Sequence, residues 1–327
     1  MKSDMKIAES MLDLIGNIPL VRLNRIGKDT GCEILVKPEF LNPSGSIKDR
    51  IALYMVQEAE REGKLKAGVA IIEASTGNTG TSLSFVAAVK GYDMVVYSPA
   101  KVANPARAAI MQAYGCRVEK VDTDAIIAAS SSDDTSVHGG RVEIFGRKIC
   151  RDLEKERKDV WWARQFSSPQ NTAAHRDWTA QEILEQTDGL LDAFAASVGT
   201  GGTLLGVAQA LRMRNPHVII AGVEPAGSPL LASGKDAYPV IAGITDGIIP
   251  ELFDSGLVNR VYSITDAEAI AMAHRLAEEE GIFCGMSSGA NVLACIRIAQ
   301  ELGPQKRIVT VLPDSRDRYL MVEKYTT

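Results

Sequence analysis

From Glu33 almost to the end of the chain, short and nearly continuous apolar runs alternate with segments of helical period, which constrains the fold more than any other feature. Strands that read as unbroken apolar stretches are buried on both faces, as in a parallel sheet covered by helices. The class expected is therefore α/β. Strands are expected over Glu33–Lys37, Val69–Glu73, Met94–Tyr97, Arg117–Val121, Val160–Gln165, Ala193–Val198, Val218–Val223 and Arg307–Leu312. Helices are expected over Ile47–Glu62, Thr79–Lys90, Asn104–Tyr114, Thr203–Arg214 and Asp266–Glu280, the last stopped by Gly281. No repeat of fixed period interrupts this order. The segment from about Asp122 to Gly140 departs from it, because its Ser/Asp/Gly cluster reads as a surface loop, a lid or an insertion.

The 327 residues carry 36 Lys and Arg against 41 Asp and Glu, a formal charge of −5. That balance offers no electrostatic footprint to nucleic acid or to an anionic membrane surface. With 46% hydrophobic residues the chain can build large cores, and its length suits about two domains. Boundaries are expected near Asn42 and within Glu154–Asp159, giving a smaller unit over 42–158 and a larger one from 1–41 plus 159–327. The stretch Met1–Lys6 lacks the apolar run of a secretory signal, and nothing approaches the roughly 18 apolar residues of a membrane span. A cytoplasmic location is expected. Cys32, Cys116, Cys150, Cys284 and Cys295 are scattered without a CxxC pair, and no two histidines stand at ligand spacing on a helix. Reduced thiols are expected, and no metal site.

In open α/β sheets ligands bind where loops leave the carboxyl ends of strands, and three such turns stand out. After Ala193–Val198 comes Gly199-Thr200-Gly201-Gly202-Thr203, running directly into a helix. Successive glycines let backbone N–H groups approach an anion, and the helix adds the positive end of its dipole. This reads as a phosphate cradle, or as a tight turn with no ligand. Neither the dinucleotide GxGxxG nor the Walker pattern is present. The second turn, Ser75-Thr76-Gly77-Asn78-Thr79-Gly80, gathers hydroxyls, an amide and free N–H groups. It can wrap a carboxylate, or its hydroxyls can simply cap the next helix. The third, Asn42–Arg50, puts Lys48 in the first turn of a helix, where the dipole disfavours a cation. Either Lys48 is a solvated lysine pairing with a neighbour such as Asp49, or a pocket and the dipole depress its pKa and free its amine for Schiff-base and general-base work.

Together these turns resemble the fold-type II pyridoxal phosphate (PLP) enzymes, specifically the cysteine synthase and cystathionine β-synthase family. The resemblance runs from Leu14–Leu20 to Pro313–Leu320 and takes in Gln165-Phe166 with Asn171 and His175, Glu224-Pro225, and Gly285-Met286-Ser287-Ser288-Gly289-Ala290. It implies two open, twisted, mostly parallel sheets with helices on both faces, as in the tryptophan synthase β-subunit, with the smaller domain closing over substrate. By the resemblance Lys48 is the Schiff-base lysine, and Asn78 partners the cofactor's ring oxygen. Gly199, Thr200, Gly201, Gly202 and Thr203 hold its phosphate, Ser287 meets the pyridine nitrogen and Ser315 lies near the ring. Ser75, Thr76, Gly77, Thr79 and Gln165 bind the amino acid carboxylate. The implied reaction is β-elimination or β-replacement on a serine- or cysteine-type amino acid through an aminoacrylate, as in O-acetylserine sulfhydrylase, by a homodimer.

Some residues depart from the family pattern. Ala74 and Thr76 replace a common proline and serine without removing donors. Asp246, in Gly243-Ile244-Thr245-Asp246-Gly247, stands where small residues are usual. A carboxylate facing the substrate β-carbon would repel anions yet could orient or deprotonate water or a thiol, which suits a lyase releasing hydrogen sulfide from cysteine. It could equally be a turn-forming Asp-Gly. His138-Gly139-Gly140 resembles a branch that includes diaminopropionate-forming relatives, so that product, cystathionine, and a non-catalytic PLP-binding scaffold stay open as alternatives. Arg316 replaces a usual glycine and is either a surface side chain or a neighbour of the cofactor.

Overall fold

A computed structural model describes residues 7–100, 105–122, 144–227, 229, 231 and 254–320. The larger sheet has six strands: β1 (Val21–Arg22), β2 (Glu33–Pro38), β7 (Ala193–Ser197), β8 (Ile219–Pro225), β9 (Arg260–Ile264) and β10 (Arg307–Leu312). Their order is β1-β2-β10-β7-β8-β9, parallel throughout except for β1 against β2. The smaller sheet is fully parallel, with β3 (Ala70–Ala74), β4 (Met94–Pro99), β5 (Arg117–Val121) and β6 (Val160–Trp162) in the order β5-β4-β3-β6. Its last strand thus lies past residue 158. Nine helices among the described residues cover the sheets. They are α1 (Lys48–Arg61), α2 (Asn78–Lys90), α3 (Pro105–Ala113), α4 (Ile144–Glu156), α5 (Pro169–Ala174), α6 (Ala180–Gln186), α7 (Gly202–Arg214), α8 (Asp266–Glu280) and α9 (Met286–Leu302).

Both faces of the central strands of the larger sheet are dry, as their nearly unbroken apolar runs require. Ile34, Val36, Ala195, Val223 and Ile308 point into a core shared with α8 and α9. Leu35, Phe194, Ala196, Ile220 and Val309 point the other way, into a core shared with α6 and α7. In the smaller sheet Ile71 and Val96 face α1, α2 and Met111 of α3, while Ile72 and Val95 face Cys150 of α4. All eight expected strands form. β1 and β9 were not anticipated, nor were α4, α5, α6 and α9. The segment expected as a surface loop lies mostly outside the described residues.

Candidate active site

Four helices begin at one place. Lys48 opens α1, Asn78 opens α2, Gly202 and Thr203 open α7, and Ser287 lies in the first turn of α9. The first N–H groups of a helix have no acceptor within it and carry its positive partial charge, so four converging N-termini make a strongly anion-seeking cavity. All four follow the carboxyl ends of strands or short loops beside them, where open sheets bind ligands.

The loop before α1 is held rigidly. Asn42 Nδ2 donates to Glu39 O at 2.8 Å and to Glu39 Oε2 at 2.7 Å, while its Oδ1 accepts from Gly16 N at 2.9 Å. Asp49 accepts from Ser44 N at 2.7 Å and from the Ser44 hydroxyl. Ile47 N donates to Pro313 O at 2.8 Å, and Ser46 bridges Asp314, which ties the start of α1 to the end of β10. Two residues after Lys48, the buried Arg50 reaches Glu39 through Nε at 2.8 Å and Nη2 at 2.9 Å, and Glu182 through Nη1 at 2.6 Å. Lys48 is thereby aimed at the cavity by a locked turn.

Lys48, Asn78, Gly199, Thr200, Gly201, Thr203 and Ser287 line one cavity. Ser75, Thr76, Gly77, Thr79 and Gln165 line an adjoining one that shares Lys48, Asn78, Gly199, Thr200 and Tyr319. In the glycine-rich turn Gly201 sits at φ +85°, a left-handed conformation in which glycine carries no Cβ penalty. Gly202 faces away from the cavity, since a Cβ there would stand 2.0 Å from Asn171 Oδ1. Asn171 Nδ2 in turn donates to Thr200 Oγ1 at 2.9 Å and to Gln165 O at 2.7 Å. His175 lies 3.1 Å through Nε2 from Thr203 Oγ1 and 2.9 Å through Nδ1 from Thr179 Oγ1. Complete burial, then the charges of Lys48 and Arg50, push its pKa well below the usual range, so the imidazole is neutral.

The second loop is braced as well. Ser75 Oγ accepts from Gly77 N at 3.2 Å and Gly80 N at 3.0 Å, and Thr79 Oγ1 donates to Gln165 Oε1 at 2.5 Å. Behind it the buried Glu73 accepts from Trp162 Nε1 at 2.9 Å and Gln165 N at 3.0 Å.

Ser315 lines neither cavity. Its hydroxyl turns to Phe283 O at 3.4 Å, and the preceding residue, Asp314, faces the cavity instead. Pro313 and the bridge from Asp314 to Ser46 set that facing. Asp314 accepts from Asn78 Nδ2 at 2.6 Å and from the Tyr319 hydroxyl at 2.5 Å. Arg316 is buried rather than on the surface, with Nη2 donating to His274 Nε2 at 2.5 Å and its guanidinium over Phe283. Asp314, Tyr319 and Arg107 are cavity residues that sequence reasoning missed, although Asp314 stands at the end of an expected strand. Asp246 and His138–Gly140 lie outside the described residues.

Residues 11–314 match the family model described as pyridoxal-phosphate dependent enzyme. The chain belongs to that family. Among relatives of this PLP-dependent enzyme, a cysteine synthase of Staphylococcus aureus is 37% identical over 322 residues, covering 98% of each chain. A cysteine synthase structure from Entamoeba histolytica superposes with a TM-score of 0.89 at 34% identity, covering 100% of this chain and 93% of that one. A hydrogen sulfide-producing enzyme from Fusobacterium nucleatum superposes at 0.85 with 37% identity, covering 96% of this chain and 100% of that one. The expected fold and cofactor class hold, and the PLP enzyme is cysteine synthase-like. Among the described residues no helix is long and apolar enough to cross a membrane.

Proposed function

We propose that the enzyme makes cysteine by β-replacement, exchanging the β-substituent of an activated serine such as O-acetylserine for sulfide. The observation that carries this is one cavity wall holding Lys48, the Gly199–Thr203 turn, Asn78 and Ser287, continuous with the Ser75–Thr79 loop and Gln165. PLP fits that donor set. First-turn N–H groups of α7 with the Thr200 and Thr203 hydroxyls suit its phosphate, Lys48 its aldehyde carbon, Asn78 its ring oxygen and Ser287 its ring nitrogen. When bound, PLP supplies an electron sink for the pair left on the substrate Cα. The Lys48 amine takes the Cα proton and holds it at Nζ for return. The Ser75–Thr79 loop and Gln165 bind the substrate carboxylate, and Asn78 and Ser287 would hold the ring of the bound cofactor in the cavity that Lys48 lines. Residues 42–158, with β6 completing their sheet, act as the smaller unit that closes over the substrate and keeps water from the reacting β-carbon. Homodimeric assembly in the cytoplasm completes this reading.

A second reading, release of hydrogen sulfide from cysteine with Asp246 activating water, draws on likeness to the Fusobacterium nucleatum enzyme. Product analysis separates the two. The purified enzyme is expected to turn O-acetylserine plus sulfide into cysteine, and Lys48→Ala to abolish both this activity and the visible band of bound PLP. Sulfide from cysteine alone, lost in Asp246→Ala, would favour the second reading.

A further inference from the structure

Arg107 is a charged group that the site does not yet use. From α3 its guanidinium covers the Tyr319 ring, 4.9 Å to the centroid. It reaches so near the Ser75–Thr79 loop that a Cβ at Gly77 would stand 2.6 Å from Nη1. Its Nε is buried without a hydrogen-bond partner, and it forms no ion pair among the described residues. Arg50 and Lys37, by contrast, are both paired with carboxylates. Holding a guanidinium partly desolvated without a counter-ion is costly unless a ligand supplies one. The planar fork matches a carboxylate or a phosphate, and a cation–π contact to Tyr319 fixes its direction without consuming an N–H donor. Among the described residues, the cavity it lines contains Lys48 and no carboxylate side chain.

We propose that Arg107 is an anion-recognition residue that takes an oxyanion of the amino acid ligand. This rests on the β-replacement reading for the kind of ligand, and on geometry alone for the charge. The oxyanion has two sources with the same chemistry: the α-carboxylate, whose loop Arg107 abuts, or an anionic β-substituent.

The test is binding to the PLP-loaded enzyme, read from the change in its visible spectrum, for wild type, Arg107→Lys and Arg107→Gln. Serine carries only the α-carboxylate, O-phosphoethanolamine only the distal oxyanion, O-phosphoserine both, and ethanolamine neither. Arg107→Gln is expected to weaken O-phosphoserine by at least about tenfold, with Arg107→Lys in between and ethanolamine unchanged. An accompanying loss for serine assigns the α-carboxylate, and one for O-phosphoethanolamine the β-substituent. Unchanged binding of all three anions, or an equal loss for ethanolamine, overturns the proposal. A wild type that binds these ligands yet forms neither cysteine nor sulfide would overturn the assigned reaction and leave the Arg107 result standing.

Discussion

Asn78 Nδ2 donates to Asp314 Oδ2 at 2.6 Å, joining the first residue of α2 to the loop after β10. On the other side Arg318 Nη1 donates to Asn78 Oδ1 at 2.8 Å. A guanidinium only donates and a carboxylate only accepts, so the amide has one orientation. One Nδ2 proton then stays available for the cofactor's ring oxygen. Asp314→Ala is expected to weaken PLP retention by about tenfold, the scale of a lost buried hydrogen bond to a charged group. If Asp314 acts through Asn78, the loss in Asn78→Ala will not deepen in the double variant. Titration of each apoprotein with PLP, followed by absorbance, gives the cycle.

Gly202 leaves no room for a side chain. An alanine Cβ would lie 2.0 Å from Oδ1 and 2.5 Å from Cγ of Asn171, which is buried and tied on two sides. Gly202→Ala is therefore expected to cost about 1–3 kcal/mol by overpacking and to displace Thr200 with it. At Gly206 a Cβ would meet Thr172 O at 2.3 Å, one turn further from the cradle. Both variants should melt early, and Gly202→Ala should show the greater loss of PLP affinity. Melting curves with and without PLP check both expectations.

The elements that could be read were those with a single local cause. β7 and β10 are buried on both faces and so are nearly continuous apolar runs, while α8 announces itself by the capping box of Thr265 and Glu268. α9 was hidden for the opposite reason. Ser287, Ser288, Gly289, Ala290, Asn291, Ala294 and Cys295 are all buried, so no polar face marks a helical period. β1 has only two residues, both exposed, and β9 is a half-exposed edge. The cradle was legible because glycines in succession have few structural uses. Which of Asp314 and Ser315 faces the cavity depends on the turn at Pro313 and the bridge to Ser46, a contact between segments far apart in sequence. Arg107 in its Ala-rich stretch gave no signal either, because its role depends on Tyr319 and Gly77.

His175 contacts Thr203 as a neutral ring, so its imidazole brings the cradle no proton that titrates near neutrality. Cofactor affinity should accordingly show no inflection from this residue near its usual pKa. Stability behaves differently. The folded pKa lies below the ordinary value of 6.5, so the unfolded chain takes up the proton first. The contribution is full above about pH 6.5 and declines as pH falls towards the folded value. His175→Gln should flatten that part of the stability profile, measured by urea unfolding between about pH 7 and 5.

Glu182 sets a second, more acidic limb. Burial alone would raise its pKa, but the Arg50 hydrogen bonds and charge, with Lys37, outweigh this and bring it down to about 2. Its carboxylate lies 2.6 Å from Arg50 Nη1 and 2.8 Å from Lys37 Nζ, both fully buried cations. A depressed carboxylate stabilises the fold above its unfolded pKa, here the ordinary value of 4.5, and that contribution is lost as pH falls through about 2. Removing the charge leaves Lys37 buried without its ion-pair partner and Arg50 with Glu39 alone. Glu182→Gln is therefore expected to cost about 3–5 kcal/mol near neutrality, the usual result of breaking a buried pair from one side. The gap to wild type should narrow between about pH 4.5 and 2, because only the wild type has a carboxylate to protonate there. Chemical unfolding of both proteins across that range checks it, and a constant gap would show that packing rather than charge holds this corner of the fold.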